Sequence, residues 1–443
     1  MENNKSHVVL GLGATGLSVV RYLCDQGIIP LVMDSRYQPP GVDELARLYP
    51  DVQLVTGDFD CRYLVQAKQI IISPGIAVDT PEICVAIDMG IEVIGDVELF
   101  ARAIKDREPC VIGITGSNGK STVTTLVGEM AKKAGLNYAV GGNIGVPVLD
   151  LLKEPRDLYI LELSSFQLET TQSLNCIVAT CLNISEDHMD RYTDLEAYRQ
   201  AKLSLYCQSK RALFNRDDQL TKPNDPMSQN NFGLSMLSDD EWGMRDGKLL
   251  HGASEIMNLQ DVALVGSHNH VNLLAAMALA YQVGIEKNSM IQVAMTFTGL
   301  VHRCELVAVH NGVSYVNDSK ATNVGATVAA LEGLSAHLGN IILIAGGDGK
   351  GADFKPLEPV IQGLSYLITL GKDGNKIAAF SEEAICVNSM SDAVKRASEL
   401  AKVGDIVLMS PACASLDMYN NFMARGEDFR AEVNALSGAK FDV

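Results

Sequence analysis

The segment Gly113–Thr122, GITGSNGKST, constrains the fold more than any other stretch of this 443-residue chain. The apolar run CVIGIT before it is typical of a buried parallel strand, and the run KSTVTTLVGEMAKKAG after it predicts a helix ending at Gly135. The internal glycines let backbone N–H groups point inward, and the helix N-terminus adds partial positive charge. This arrangement predicts a phosphate site, with Lys120 reaching the β- and γ-phosphates of a nucleotide and the Ser121 hydroxyl placed for Mg²⁺.

The loop departs from the strict G-x-x-x-x-G-K-[ST] pattern, because Ile114 stands where that pattern has its first glycine. The alternative interpretation is a glycine-rich turn between strand and helix that binds nothing. We favour the nucleotide site, because G-K-S-T at such a junction is rarer than a chance glycine-rich turn.

Composition limits the class of protein. The chain is 47% hydrophobic and 20% charged, as in soluble globular proteins, and its net charge of −18 comes without a basic run. We therefore expect no nucleic-acid partner and no anionic membrane surface as partner.

The ten cysteines are scattered without a C-x-x-C pair, and neither a signal peptide nor a membrane-spanning run is evident. These features predict a reducing, cytoplasmic location without membrane insertion.

Short apolar runs alternate with helical stretches along the chain, which predicts the α/β class. Residues 217–262 are the exception: they are polar and turn-rich, and predict a small antiparallel patch or a long loop. A hairpin is predicted with Asn311-Gly312 at its turn. We expect three domains in series: a Rossmann-like domain over 1–96, a central P-loop ATPase-like parallel sheet over 97–299, and a Rossmann-like domain over 300–443.

A second glycine motif, Gly11–Gly16, follows the first predicted strand, and Asp34 ends the next one. By the usual rules this is a dinucleotide fingerprint and indicates a nicotinamide-dependent dehydrogenase. However, such a loop binds any diphosphate at a helix N-terminus, and a dehydrogenase would not explain the second phosphate loop. We predict a diphosphate site of open identity. The alternative is a tight turn that only packs well.

Several side chains follow predicted strands or occupy loops. Glu162, in LELSS, is predicted at a strand end where a carboxylate holds Mg²⁺, although such an acid can simply be exposed. His188, in NISEDHMDRY, is either a metal ligand or structural. Lys202 is predicted on a solvated helix face.

The third block supplies further charged side chains that together suit phosphate and carboxylate groups, although each could be a surface charge. They are Arg303, Asp318, Lys320 and Lys350.

Motifs along the whole chain, including GITGSNGKST, LELSSFQLE, NISEDHMDRY, GSHNHVN, FTGLVHR, NDSKATN and GGDGKGADF, together resemble the Mur ligases. The resemblance is to the branch that adds D-glutamate to UDP-N-acetylmuramoyl-L-alanine. It implies an ATP-dependent amide-forming ligase that makes an acyl phosphate and releases ADP and phosphate. Such an enzyme acts in peptidoglycan precursor synthesis, and thus in cell-wall biogenesis, cell shape and cell division. In this family the loop has the form T-G-x-N-G-K-[ST], so Ile114 is normal. A monomer is expected.

The resemblance also implies roles for individual residues. ATP would contact Gly116, Ser117, Asn118, Gly119, Lys120, Ser121, Thr122, Asn269, Asn272, Arg303 and Asp318. The UDP-substrate would contact Thr15, Asp34, Ser35, Arg36, Gly75, Asn143 and His188. D-glutamate would contact Thr322, Lys350, Ser415, Leu416 and Phe422. Two Mg²⁺ ions would be held by Ser121, Glu162, His188 and Lys202, with Lys202 carrying a CO₂-derived carbamate. The implied catalytic residues are Lys120, Glu162, His188, Lys202 and Arg303.

Two departures from the family pattern bear on these roles. Val301 and Cys304 flank His302-Arg303 where relatives carry GLPHRFE, which could change how Arg303 is presented, and Ser35 replaces a frequent threonine. Three alternatives stay open: a ligase of the same superfamily for another amino acid, a dehydrogenase, and a non-catalytic nucleotide-binding regulator.

Overall fold

The computed structural model describes residues 7–224, 229–235, 241–264, 266–334 and 339–436. The chain forms two compact units. The first comprises Met1–Asn183, Glu196–Gln260 and Leu273–Val293, and the second comprises Ile184–Leu195, Asp261–Asn272 and Ala294–Val443. Three mostly parallel sheets confirm the predicted α/β class. The predicted domain boundaries stay a prediction.

The first sheet lies in the first unit and is parallel throughout, with strand order β3-β2-β1-β4-β5. Its strands are β1 (His7–Leu10), β2 (Leu31–Asp34), β3 (Gln53–Thr56), β4 (Gln69–Ile72) and β5 (Glu92–Gly95). Its helices are α1 (Ala14–Asp25), α2 (Val42–Leu48), α3 (Cys61–Leu64), α4 (Pro81–Asp88) and α5 (Asp96–Ile104). Residues of the central strands are buried on both faces, which explains their continuous apolar runs.

The second sheet, also in the first unit, has nine strands in the order β14-β13-β12-β11-β10-β9-β6-β8-β7. Its strands are β6 (Cys110–Thr115), β7 (Tyr138–Gly142), β8 (Leu158–Glu162), β9 (Val178–Cys181), β10 (Ala212–Asn215), β11 (Gln229–Phe232), β12 (Trp242–Arg245), β13 (Lys248–His251) and β14 (Ser254–Asn258). The antiparallel alternative for residues 217–262 is confirmed for β12, β13 and β14, which pair antiparallel, whereas β11 pairs parallel with β10 and β12. Residues 225–228 and 236–240 of that range lie outside the described residues.

Five helices accompany this stretch of chain: α6 (Lys120–Lys133), α7 (Ser165–Leu168), α8 (Leu195–Cys207), α9 (Ser267–Gln282) and α10 (Lys287–Ala294). Helix α6 ends as its sequence predicts, with Gly135 in the left-handed region at φ 73°. The boundary between the two units falls within α9, between Asn272 and Leu273.

The third sheet belongs to the second unit and has the order β15-β16-β20-β17-β18-β19. Its strands are β15 (Glu305–His310), β16 (Val313–Asn317), β17 (Ile341–Gly346), β18 (Tyr366–Leu370), β19 (Ile385–Cys386) and β20 (Ile406–Met409). Its helices are α11 (Val324–Gly333), α12 (Glu358–Ile361), α13 (Gly374–Ala378), α14 (Met390–Leu400) and α15 (Phe422–Ala435). The predicted hairpin is confirmed, since β15 and β16 pair antiparallel around Asn311 and Gly312, both at positive φ.

Among the described residues, no helix is both long and apolar enough to cross a bilayer.

Candidate active site

The loop between β6 and α6 has the backbone shape that its sequence predicts. Gly116 adopts φ 144° and Gly119 adopts φ 83°, a region that side chains disfavour. A Cβ added at Gly116 would lie 3.1 Å from both the Cβ and the backbone nitrogen of Leu182, which is tighter than nine in ten real contacts. The backbone conformation therefore favours glycine at position 116, and the close approach of Leu182 adds to this preference.

Asn183, which the sequence analysis did not single out, braces this loop. Its side-chain oxygen accepts from the Asn118 N–H at 2.7 Å, and its amide donates to the Asn118 carbonyl at 3.0 Å. Its own carbonyl accepts from the Ser117 N–H at 2.9 Å. The position of Asn183 just after β9 could have identified it from the sequence, because the carboxyl ends of neighbouring parallel strands meet at one edge of the sheet.

Lys120 opens helix α6 and folds back over the loop. Its ammonium donates to the carbonyls of Gly116 at 2.8 Å and Ser117 at 2.9 Å. The adjacent Thr122 hydroxyl oxygen is buried and has no hydrogen-bond partner among the described residues. The loop thus gathers a cation, a helix N-terminus and an unused hydroxyl, which suits a bound phosphate.

Glu162 ends β8 in register with Ile114 of β6, so it lies beside the strand that feeds the loop. Its side chain is only 1% exposed, and Oε1 accepts from the Asn143 amide at 2.9 Å. Oε2 is buried and has no partner among the described residues. A buried carboxylate oxygen without a donor is costly by itself but suits a divalent cation.

The described part of the chain has no cluster of three or more His, Cys, Asp or Glu side chains that could hold a metal by themselves. A divalent cation at Glu162 would need further, non-acidic ligands, such as a hydroxyl and phosphate oxygens, which is how Mg²⁺ is usually bound.

The prediction that Lys202 lies on a solvated helix face is wrong. The residue is 2% exposed, and its Nζ donates to the Gly116 carbonyl at 2.9 Å. The same atom lies 4.5 Å from the centre of the Tyr198 ring, and the Tyr198 hydroxyl accepts from Ser117 at 3.3 Å. Helix periodicity did not reveal this, because the packing partner is a loop more than eighty positions away in the chain.

The residues assigned to the UDP-substrate lie largely at the carboxyl edge of the first sheet. Gly16 is required there, since an added Cβ would lie 1.9 Å from the Gly11 carbonyl oxygen. Asp34 is buried, accepts from the Leu12 N–H at 2.7 Å, and pairs with Arg36 through two side-chain hydrogen bonds. Burial opposes ionisation of Asp34, but the bonds from Arg36 and Leu12 outweigh it and lower its pKa.

Arg36 is consequently held in one orientation, with about half of its side chain exposed. Thr15 lies in the first turn of α1, and Ser35 and Gly75 follow β2 and β4. In a dinucleotide fingerprint, the acidic residue at the end of the second strand binds a ribose hydroxyl. Here that residue, Asp34, is already bonded to Arg36.

In the second unit, Arg303 lies between two residues with left-handed backbone, His302 at φ 62° and Cys304 at φ 46°. Its Nε is buried and has no partner among the described residues. The Cys304 N–H donates to Asp318 at 3.2 Å, and burial raises the pKa of Asp318 to about 6. Such backbone strain is typical of functional positions.

Asn269 and Asn272 begin α9 and are both buried, with 3.5 Å between the Asn272 amide nitrogen and the Asn269 amide oxygen. Neighbouring His268 is held neutral: burial, with the nearby Arg303 charge, lowers its pKa to about 4. The charge of Arg303 is therefore felt at the start of α9, where Asn269 and Asn272 lie.

The residues assigned to D-glutamate also lie in the second unit. Lys350, at φ 51°, forms an ion pair with Asp187, which precedes His188. Ser415 is buried and Leu416 is 73% exposed. Lys320 lies 4.1 Å from the centre of the Phe422 ring. Thr322 precedes α11 and is half-buried.

The predicted site residues fall into groups by unit. The first unit contains the residues of the loop between β6 and α6, and also Glu162, Asn143 and Lys202. His188 belongs to the second unit. The assignments of these residues to ligands stay predictions.

Comparisons with known proteins agree with this architecture. Three family descriptions match successive parts of the chain: "Mur ligase MurD-like, N-terminal domain" at residues 5–95, "Mur ligase middle domain" at 114–280, and "Mur ligase, glutamate ligase domain" at 302–413.

Two curated relatives are similar over the full length. A UDP-N-acetylmuramoylalanine–D-glutamate ligase of Shewanella violacea is 76% identical, covering 100% of this chain and 98% of the relative. The protein of the same name from Shewanella oneidensis is 70% identical, covering 99% and 100%.

Two solved structures share the fold at low identity. A pseudomurein peptide ligase type C from Methanothermus fervidus aligns with a TM-score of 0.62 and 18% identity, covering 98% of this chain and 100% of that one. A UDP-N-acetylmuramate-alanine ligase from Thermotoga maritima aligns with a TM-score of 0.61 and 15% identity, covering 97% and 99%. With family descriptions matched along most of its length and relatives this similar, the chain belongs to the Mur ligase family.

Proposed function

We propose that this protein is an ATP-dependent ligase that joins D-glutamate to UDP-N-acetylmuramoyl-L-alanine and releases ADP and phosphate. The strongest support is the 76% identity, over the full length, with a Shewanella violacea enzyme named for D-glutamate ligation. The loop geometry around Lys120 and the unpartnered oxygen of Glu162 suit the nucleotide and the cation that such a reaction needs.

The chemistry explains the need for ATP. A carboxylate does not react with an amine near neutral pH, because an oxide would have to leave. Transfer of the γ-phosphoryl group to the alanyl carboxylate gives an acyl phosphate, whose leaving group is phosphate. The D-glutamate amine then attacks the acyl carbon, and the tetrahedral intermediate collapses with loss of phosphate.

In these reaction steps, the residues of this chain neutralise the charge of the phosphates and position the substrates. Lys120, at the helix N-terminus, neutralises the β- and γ-phosphates, while Arg303 supplies a second cation as charge moves to the transferred group. Asn269, Asn272 and Asp318 bind the nucleotide. Lys350 binds a carboxylate of the incoming amino acid.

We assign Mg²⁺ to Ser121, Glu162, His188 and Lys202. The ion would offset the negative charge of the phosphate groups. Lys202 would hold the ion as a carbamate, since CO₂ converts its amine to an anionic ligand. The hydrogen bond from Lys202 Nζ to the Gly116 carbonyl supports this assignment, because it places the lysine at the loop between β6 and α6. We assign the UDP group to the carboxyl edge of the first sheet, at Thr15, Asp34, Ser35, Arg36 and Gly75. The peptide-bearing arm of the substrate is assigned to Asn143 and His188. We further propose a cytoplasmic monomer.

The test is phosphate release from ATP and Mg²⁺ with the UDP-sugar substrate and a panel of D- and L-amino acids. We expect release only when both the UDP-sugar substrate and D-glutamate are present. Turnover with another amino acid would assign a different ligase of the superfamily. ATP binding without any turnover would indicate a regulator, and NAD(P)H oxidation would support the dehydrogenase.

A further inference from the structure

The ion pair between Lys350 and Asp187 joins two loops of the second unit. The Lys350 ammonium donates to Asp187 Oδ1, and these side chains are only 17% and 9% exposed. Gly351 also approaches the Asp187 loop, because a Cβ added there would meet the backbone of Asp190 at 3.9 Å and Met189 at 4.0 Å. The pair therefore forms where the two backbones already pack together.

Asp187 is itself anchored on its other oxygen. The Asn323 amide donates to Asp187 Oδ2 at 3.2 Å, and Asn323 is 4% exposed. The Asn323 side-chain oxygen caps α11 by accepting from the Ala326 N–H at 2.9 Å. The Asp187 carboxylate is thus held at the N-terminus of α11 by Asn323, the residue that follows Thr322.

A lysine side chain has four rotatable bonds and loses its orientation unless a partner holds it. Here one N–H of the Lys350 ammonium is bonded to Asp187, and the structure gives its other two N–H groups no partner among the described residues. A carboxylate ligand can therefore bind beside Asp187 without replacing it.

We propose that Asp187 is a positioning residue for the amino-acid substrate. It orients Lys350 toward the substrate carboxylate and ties Lys350 to the segment of Thr322 and Asn323. This inference rests on the proposed function and deepens it, since neither Asp187 nor Asn323 has a role there.

The experiment compares Asp187→Asn with the parent protein in the phosphate-release assay, after the parent has shown turnover that depends on D-glutamate. We expect the KM for D-glutamate to rise about tenfold, while the KM values for ATP and the UDP-sugar substrate stay within about twofold. The matched control is Glu186→Gln, which removes a negative charge from an exposed neighbour and should leave all three constants unchanged.

A second variant guards against simple misfolding. Asn323→Ser keeps a good helix cap but removes the bond to Asp187, so we expect a smaller rise in the KM for D-glutamate than Asp187→Asn gives. The unfolding midpoint should fall but stay well above the assay temperature, because one buried hydrogen bond is lost while the cap is kept. In a Lys350→Met background, Asp187→Asn should add little, because its effect acts through Lys350.

Three outcomes would overturn the proposal: an unchanged KM for D-glutamate, a lower one, or a fall in kcat alone. A lower KM would mean that Asp187 competes with the substrate. A fall in kcat alone would mean that Asp187 acts through its neighbour His188. A parent protein without D-glutamate-dependent turnover would instead refute the proposed function, so the two failures are distinguishable.

Discussion

The Lys202 ammonium nitrogen and the Gly116 carbonyl oxygen lie 2.9 Å apart, which ties the buried face of α8 to the start of the phosphate loop. The Lys120 ammonium bonds the same carbonyl at 2.8 Å. Two cations thus converge on one backbone oxygen. Because like charges in a small volume repel, this arrangement suits a site that receives phosphates or carries one lysine in an anionic form.

Lys120→Met should abolish ATP turnover. The substitution keeps side-chain length and helix propensity but removes the charge that faces the phosphates, so we expect phosphate release to fall by about a thousandfold or more. The measurement is steady-state phosphate release with all substrates saturating. Lys132→Met on the exposed end of the same helix is the control, and comparable activity in the two variants would contradict the role of Lys120.

Lys202→Ala should lower activity by about a hundredfold, because it removes both the bond to the loop and the proposed carbamate. If the carbamate is the functional form, acetate or formate should restore part of the activity by placing a carboxylate in the space left behind. The exposed Lys210 offers a matched Lys210→Ala control with parental activity. Normal activity of Lys202→Ala without any added acid would refute the carbamate.

Glu162→Gln should raise the Mg²⁺ concentration needed for half-maximal activity and lower kcat by about a hundredfold. The glutamine oxygen can still accept from Asn143, so the substitution removes charge while preserving shape. A Mg²⁺ titration of phosphate release measures both effects, with Glu169→Gln as the exposed control. An unchanged titration midpoint would exclude Glu162 as a ligand.

Asp96→Asn should stabilise the protein at neutral pH but not near pH 4. Burial raises the pKa of Asp96 to about 6, above the value of about 3.9 expected in the unfolded chain. The parent protein therefore loses stability as the pH rises from about 4 to about 6, where the unfolded state releases its proton more readily. An asparagine has no proton to release, so the advantage of the variant should grow by about 2 kcal/mol over that window.

The measurement is the midpoint of thermal unfolding at pH 4, 5, 6 and 7 for both proteins. Asp88→Asn, on an exposed position, should give a difference that does not follow this pH window. A constant difference between parent and Asp96→Asn across the range would show that Asp96 has an ordinary pKa.

The fold class could be predicted from sequence because its signals are local. Apolar runs of strand length, glycines in turns that require positive φ, and the Asn311-Gly312 hairpin are read from a few consecutive residues. The antiparallel strands β12–β14 were only one of two alternatives, because their turn-rich sequence also suits a long loop.

The local sequence also predicted the backbone of the loop between β6 and α6. Gly116, Gly119 and Lys120 belong to a segment in which a strand, a turn and a helix are adjacent in sequence. Tertiary structure decided the rest: Lys202 is buried rather than solvated, Asn183 braces Asn118, and Asp187 pairs with Lys350. Each of these contacts joins residues from 65 to 163 positions apart, so no local period or propensity encodes it. Burial and pairing of a charged side chain depend on what the rest of the fold packs against it.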